Sequence, residues 1–262
     1  MNGNSSLVRR GTAASVALLI VVLAAWQWGP GLLGIPTFII PPLSAVFDEF
    51  LRMLAVSALM THTGVTALEV IAGFLLGSLL GAFFGYVLGM SPTAEFALSP
   101  YILALQIAPK VAFAPLFILW MGFTLYPKIL VAILIVFFPV MVNVLTAIRT
   151  VDPDLVNLAR AFKATRGQIF WKIEFPASLP PLFAGLRIAS TLAVVGVVVG
   201  ELVGGNLGLG YLLAFGEGQA NTAMVFVAIL MLTVVGGIAY LAVILIEQRV
   251  LHYQPRRTLS GV

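Results

Sequence analysis

The chain contains no cysteine, only two histidines and few charged residues, and each shortage excludes a class of function. Without cysteine there are no disulfides, thiolate metal sites or cysteine nucleophiles. His62 and His252 are far apart in the sequence, so a histidine metal site has no support. Charged residues make up 9% of the chain, against roughly 25% in soluble domains. We therefore expect an all-helical integral membrane protein and neither a soluble enzyme nor a nucleic-acid-binding protein.

Six apolar stretches fill most of the chain, in which 61% of the residues are hydrophobic. Since about 20 apolar residues cross a bilayer as a helix, they predict six spans in one domain over residues 12–250, between polar tails at 1–11 and 251–262. Arg9 and Arg10 before the first stretch are also typical of a secretory signal, but its length and the closing Trp26 and Trp28 favour a retained span. The six stretches are residues 12–28, 65–90, 96–123, 129–148, 181–203 and 222–246.

The second stretch carries glycines at an unbroken spacing of four residues. On a helix this spacing forms a smooth ridge along which another backbone can approach closely. We favour tight packing within the subunit, although a sliding surface or a dimer contact has the same pattern. The helix-packing candidates are Gly73, Gly77, Gly81, Gly85 and Gly89.

The third stretch contains Pro100, Pro109 and Pro115. It should be kinked or broken, because proline removes a backbone donor and clashes with the preceding turn. Lys110 lies near its middle, where a cationic side chain costs about 2.5–3.5 kcal/mol on insertion scales. Lys110 either snorkels to an interface or attracts an anion along a pathway, where Gln106, one turn earlier, adds a polar contact. Gln106 and Lys110 are therefore the substrate-path candidates.

Two further segments lie between the spans. Residues 45–59 predict a short amphipathic helix before the second span. Residues 204–218 form a glycine-rich loop that lacks the strand–turn–helix context and the Gly-Lys-Ser/Thr ending of a phosphate-binding loop. Glu69 and Glu201 fall near or inside span ends, whereas an ion-coupled carrier would be expected to bury more acids than these.

Basic residues are concentrated on one side of the predicted membrane. With the amino terminus in the cytoplasm, the outer side holds only Arg52 and Lys128, which is a clear positive-inside bias. We therefore expect both termini and the loop between spans four and five to be cytoplasmic. The cytoplasmic basic residues are Arg9, Arg10, Arg149, Arg160, Lys163, Arg166, Lys172, Arg249, Arg256 and Arg257.

The loop at residues 152–181 is a polar helical island in this apolar chain. Asp152 is a suitable N-cap, Pro153 falls at the first helical position, and Asp154 lies in the first turn, where the helix dipole favours a carboxylate. Apolar residues then recur at helical spacing, residues 165–167 predict a bend, and Pro176 predicts the end of a second short helix. The loop is either an interfacial helix on lipid headgroups or a docking helix for a cytoplasmic partner.

This loop resembles that of the permease subunits of bacterial ABC importers, which carries the pattern E-A-A-x3-G-x9-I-x-L-P. Residues 108–122, 184–188 and 208–211 are similar to the nitrate/sulfonate/taurine branch of these permeases, and the resemblance covers roughly residues 40–250. In the loop, the matching positions are Ala159, Ile173 and Pro176, and the departures are Asn157, Leu158, Lys163 and the mild change Phe175.

The resemblance implies a type I ABC importer permease fold in the bacterial inner membrane, with no catalysis on this chain. It also implies two copies of a cytoplasmic ATPase that would hold ATP and Mg, a second permease copy in a homodimer, and an extracytoplasmic solute-binding protein. Branch members transport organosulfonates, nitrate-like anions, or vitamin and pyrimidine precursors. The residues that the resemblance assigns to ATPase coupling are Asn157, Leu158, Ala159, Arg160, Phe162, Lys163, Arg166 and Gly167.

Two other classes of membrane protein are alternatives. An autonomous secondary carrier or channel would need ligands concentrated at mid-membrane and usually an internal repeat, and neither is clear in the sequence. A structural membrane subunit without a pathway is disfavoured by the prolines of the third span and by Lys110.

Overall fold

The computed structural model describes residues 3–252, with side chains from residue 11 onward. The described residues are almost entirely helical, which confirms the predicted class. Most of the predicted tail at 251–262 lies outside the described residues, and the one at 1–11 is helical from Gly3. The helices are α1 (Gly3–Leu32), α2 (Leu43–Ala55), α3 (Ala58–Gly89), α4 (Pro92–Ile107), α5 (Ala114–Met121), α6 (Tyr126–Arg149), α7 (Pro153–Ala161), α8 (Arg166–Ile169), α9 (Phe175–Gly204), α10 (Leu209–Gly218) and α11 (Thr222–Val250), with a 3-10 turn at Lys110–Phe113 and a π turn at Phe170–Glu174.

Five helical segments are each long and apolar enough to cross a bilayer: α1 from Gly11, α3, α6, the stretch Arg166–Gly204, and α11. The third predicted span is instead a pair of helices, Pro92–Ile107 and Lys110–Met121, bent by 79°. Counted as one span, this pair makes six. The predicted break thus falls at Pro109, where the helix loses a backbone donor.

The core of the bundle is α6, which packs between α3 and α9. Ala132 of α6 is fully buried, and Gly73 of α3 and Gly196 of α9 approach it from two sides. A Cβ atom at Gly81 would lie 2.6 Å from the Phe137 carbonyl oxygen, so the glycine ridge lets the two backbones come close. The ridge of α3 therefore packs against a helix of the same chain. Its other contacts are Gly77 with Val136, Gly85 with Val144 and Gly89 with Ile148.

Two predicted elements between the spans are corrected by the structure. The amphipathic helix is α2, which ends at Ala55 because Ser57 adopts a positive φ of 55° and interrupts the helix. α3 then begins at Ala58, before the predicted start of the span at residue 65. The glycine-rich loop is irregular only at its start, because its second half forms α10 and buries Leu209 and Leu212 against the bundle.

Pro176 does not end a helix, contrary to the prediction. The helical stretch Arg166–Gly204 continues through α8, the π turn and α9. A proline inside an α-helix clashes with the carbonyl four residues earlier. For Pro176 that carbonyl belongs to Lys172, which lies inside the π turn Phe170–Glu174. The altered turn replaces the regular α-helical geometry at the point where the clash would fall, so the helix passes the proline.

Candidate functional site

The carboxyl end of α7 is closed by backbone hydrogen bonds around Lys163. The Lys163 amide donates to the Arg160 carbonyl oxygen at 2.8 Å, and the Ala164 amide donates to that of Ala159 at 3.0 Å. This pair of bonds is a Schellman motif, in which the residue at the Lys163 position is usually glycine. Lys163 has a φ of 57°, a left-handed conformation that costs a non-glycine residue about 1–2 kcal/mol. Where the family pattern has glycine, this chain therefore keeps a backbone conformation that glycine adopts freely.

An exposed apolar face runs along α7. The Asp152 side chain caps the helix by accepting a hydrogen bond from the Asp154 amide at 2.9 Å. Beyond the cap, Leu155, Leu158 and Phe162 lie on one side of the helix, and the Phe162 side chain is 80% exposed. No residue of α7 is buried. Within the part of the chain that the structure describes, this face has no packing partner.

The second half of the loop is fixed to the bundle. Thr165 and Gln168 form a capping box at the start of α8. The Tyr86 hydroxyl of α3 is hydrogen-bonded to the Ser178 hydroxyl at 2.8 Å, and the Tyr86 ring packs edge-on against Phe170 with 5.7 Å between ring centres. Of the predicted coupling residues, Asn157, Leu158, Ala159 and Arg160 lie in α7, Phe162 and Lys163 in its cap, and Arg166 and Gly167 in α8.

The two substrate-path candidates share a cavity at the break in the third span. Lys110 Nζ donates a hydrogen bond to the Gln106 carbonyl oxygen at 2.5 Å and lies 4.8 Å from the centre of the Phe138 ring. The carboxyl end of α4 and the aromatic face both favour a cation at this point. The cavity has a volume of about 380 Å³, within the range of small-molecule sites. Its lining consists of Gln106, Lys110, Ile135, Phe138, Pro139, Val142, Asn143 and Leu192.

A cluster of buried charges, not predicted from the sequence, joins three spans. It consists of Glu69 of α3, Lys128 of α6 and Glu201 of α9, and we call it the buried-charge cluster. Lys128 is 3% exposed, and its Nζ donates to Glu69 Oε1 at 3.0 Å. The sequence predicts Lys128 on the outer side of the membrane, and in the structure α6 already begins at residue 126. Lys128 therefore lies in the first turn of a buried helix and not in a loop.

The start of the glycine-rich segment is bound to this cluster through its backbone. Gly208 has a φ of 114°, and a Cβ atom there would collide with the Glu201 carboxylate, so the position requires glycine. The segment therefore surrounds a carboxylate of its own chain, at the amino end of α10, where the helix dipole favours an anion. Four hydrogen bonds join the backbone of residues 207–210 to the cluster and to two side chains beside it. They are Lys128 Nζ to Leu207 O at 3.4 Å, Gly208 N to His62 Nδ1 at 2.9 Å, Leu209 N to Thr66 Oγ1 at 2.7 Å and Gly210 N to Glu201 Oε2 at 2.6 Å.

Residues 73–252, well over half of the chain, match the protein family described as "Binding-protein-dependent transport system inner membrane component". The chain belongs to this family. The matched region of the permease runs from the glycine ridge of α3 to the end of α11, and so it contains both the loop at 152–181 and the Lys110 cavity.

Relatives with assigned names extend over nearly the whole permease. It is 37% identical to the riboflavin transport system permease protein RibX of Chloroflexus aurantiacus, over 90% of this chain and 88% of that protein. It is 33% identical to SsuC of Bacillus subtilis, a permease protein named for aliphatic sulfonates, over 94% of this chain and 89% of that protein. Its fold matches a chain of the inward-facing MetNI methionine ABC transporter with a TM-score of 0.61 at 20% identity, over 72% of this chain and 94% of that chain. The fold is therefore that of a type I ABC importer permease.

One feature of the permease sequence indicates the buried-charge cluster. Glu69 and Glu201 are acids within long apolar stretches, where an ionisable residue is expensive and usually has a partner. The pairing itself had no sequence signal, because Glu69 and Lys128 are 59 positions apart. Only the packing of α3 against α6 brings them together.

Proposed function

We propose that this permease is the translocation subunit of an ATP-driven importer, coupled to a separate cytoplasmic ATPase through the loop at 152–181. The observation that supports this role best is the exposed apolar face of α7, which carries Leu155, Leu158 and Phe162. An apolar helix face of this kind is suited to a groove on a partner protein. The positive-inside bias of the sequence supports a cytoplasmic position for this loop and both termini at the bacterial inner membrane.

The two halves of the loop suit the transmission of movement. α7 offers the surface for docking, while Tyr86 and Ser178 fix the following turn to α3 and α9. Displacement of a docked α7 would therefore be passed into the long helix Arg166–Gly204. In the proposed complex, two ATPase copies act on the loops of two permease copies, and ATP-driven closure draws the loops together.

The docking proposal is tested by Phe162→Ser combined with Leu158→Ser. We expect the double variant to reach the membrane normally, to lose co-purification with a co-expressed cognate ABC ATPase, and to lose ATP-dependent uptake. Phe96→Ser is the matched control, since Phe96 is 85% exposed in α4, whose Glu95 pairs with Arg149 at the same end of the bundle. Retained ATPase binding in the double variant, or equal loss in the control, would contradict the proposal.

For the solute, we propose a small anion or a vitamin-like precursor that passes through the Lys110 cavity after delivery by an external binding protein. The cavity offers the Lys110 ammonium, the Gln106 and Asn143 amides and the Phe138 ring, which suit a small polar or aromatic solute. The names of RibX and SsuC, for riboflavin and aliphatic sulfonates, support the same range of solutes.

Lys110→Met tests whether the cavity lies on the pathway. Hydrogen bonds to charged groups contribute about 1.5–3 kcal/mol, so we expect uptake of an anionic solute to fall about tenfold or more, while ATPase binding is unchanged. Lys110→Arg keeps the charge and should retain most of the uptake. Unchanged uptake in Lys110→Met would make the residue structural. Uptake into liposomes by the permease alone, without ATP, would instead favour an autonomous carrier or channel.

A further inference from the structure

The buried-charge cluster has an imbalance of charge. Glu69 and Glu201 are 0% exposed and Lys128 is 3% exposed, enclosed by α3, α6, α9 and the start of α10. With every group ionised, two carboxylates and one ammonium leave a net charge of −1. A buried charge without a counter-charge is strongly unfavourable, because the surrounding protein and lipid solvate it far less well than water does.

The cluster also has an imbalance of hydrogen-bond donors. Glu201 Oε1 accepts from the Thr66 hydroxyl at 2.7 Å, and Oε2 accepts from the Gly210 amide at 2.6 Å. Glu69 Oε1 accepts from Lys128 Nζ at 3.0 Å. Glu69 Oε2 is buried, and it has no donor among the described residues. Buried carboxylate oxygens are rarely left in this state in folded proteins.

The neighbouring groups correct neither imbalance. His62 Nδ1 lies 2.9 Å from the Gly208 amide nitrogen and 3.1 Å from the Gly208 carbonyl oxygen, so its hydrogen bonds go to the backbone of Gly208 and to neither carboxylate. The amino end of α10 contributes a partial charge equivalent to about +0.5, and its first amides are already bonded to Thr66 and Glu201. The Glu69 and Glu201 carboxyl groups are themselves close enough to interact.

We propose that Glu69 and Glu201 share one buried proton, carried on Glu69 Oε2 and directed toward the Glu201 carboxylate. A single proton supplies both the missing donor and the missing positive charge. Lys128 then balances the remaining carboxylate, and the cluster is neutral. This site has no sequence motif, because its members come from three spans and meet only in the folded bundle.

The proton site is linked to the position of the glycine-rich segment. The Gly210 amide binds Glu201 directly, and the backbone of residues 207 and 209 binds Lys128 and Thr66, which are hydrogen-bonded to Glu69 and Glu201 in turn. Separation of this segment from the bundle would admit water and allow the proton to leave, while loss of the proton would leave a buried negative charge beneath the segment. Proton retention and segment docking are therefore reciprocally coupled.

Infrared difference spectroscopy of the full-length permease in lipid tests the site directly. We expect a protonated-carboxyl band above about pH 6, where exposed carboxyl groups are ionised. Glu69→Gln and Glu201→Gln each replace one of the two acids by a neutral side chain. The remaining acid is then balanced by Lys128 in its ionised form, so each variant should lack the protonated-carboxyl band. Glu217→Gln removes an exposed acid of α10 and should leave the band intact.

Thermal stability provides a second readout. Each single variant keeps charge balance and should melt close to the unsubstituted protein, whereas the double variant leaves Lys128 as an unpaired buried cation and should melt well below both. Absence of the band in the unsubstituted protein, or its loss in only one of the two single variants, overturns the proposal. If the permease melts at a higher temperature in sodium than in choline at equal ionic strength, and no band is present, the site holds a metal cation and the proton proposal is overturned. If the single variants do not fold, the band of the unsubstituted protein decides.

Discussion

The buried-charge cluster and the exposed face of α7 lie toward opposite ends of one continuous helical stretch, Arg166–Gly204. At the Glu201 end, charged side chains from three spans are enclosed and bonded to one another. Just before the Arg166 end, apolar side chains such as Phe162 are exposed. Both regions depart from the common arrangement in which charges face the surface and apolar groups are buried.

The difference lies in where the partners of each group are found. The side chains of the buried-charge cluster bind other residues of the same chain, so the cluster contributes to folding. The apolar face of α7 has no partner among the described residues, so it is available for association. Substitutions that upset the charge balance of the cluster should therefore lower stability, and substitutions on α7 should affect docking with little change in stability.

The largest expected effect is that of Lys128→Met. This change leaves two buried carboxyl groups without their cation, and breaking a buried ion pair by removing one partner costs about 3–5 kcal/mol. We expect a large fall in the melting temperature of the detergent-solubilised permease, together with a low yield. Fluorescence-detected size-exclusion chromatography after heating measures both.

Lys172→Met is the control for this substitution, because Lys172 is an exposed lysine at the α7 end of the same helical stretch. It should melt like the unsubstituted protein. Equal melting temperatures for Lys128→Met and Lys172→Met would show that the cluster does not stabilise the bundle.

A smaller loss is expected for Gly208→Ala. The φ of 114° and ψ of 168° at Gly208 lie in a region that is open essentially to glycine alone, at a cost of about 1–3 kcal/mol to other residues. The new Cβ atom would also displace the Glu201 carboxylate. Gly64→Ala is the control, since Gly64 lies in α3 with open space around it, and alanine there should add roughly 0.5–1 kcal/mol. A Gly208→Ala variant as stable as Gly64→Ala would exclude the tight fit around Glu201.

The elements that could be predicted from the sequence depend on local chemistry. Apolar length indicated the spans, the three prolines of the third span indicated that it is kinked or broken, and Asp152 indicated the start of α7, because each effect acts within a few residues. The exposed face of α7 followed from helical spacing in a segment otherwise rich in polar residues.

The remaining features depend on contacts between distant segments. The contact of Lys128 with Glu69 requires α3 to pack on α6, and α10 gains its stability by burying Leu209 against the bundle. The predicted helix end at Pro176 was wrong for a related reason: local propensity favours an end there, whereas the π turn at Phe170–Glu174, packed through Phe170 on Tyr86 of α3, lets the helix continue. The sequence therefore gives no sign of the pairing within the buried-charge cluster, which depends on tertiary packing, whereas it does predict α7, the helix proposed for docking.

The smallest effect is a gain, expected for Lys163→Gly at the cap of α7. Glycine relieves the left-handed strain at this position and should stabilise the helix end by roughly 1 kcal/mol, which corresponds to about a fivefold smaller open population of the Ala164 amide bond to Ala159 and to exchange slowed by the same factor. Hydrogen exchange of the peptide covering α7 is the suitable measurement, because opening of an exposed helix does not require the bundle to unfold. Lys163→Ala removes the same charge without relieving the strain, so its exchange should not slow. If alanine and glycine slow the exchange equally, the charge of Lys163 and not its backbone conformation limits the stability of the carboxyl end of α7.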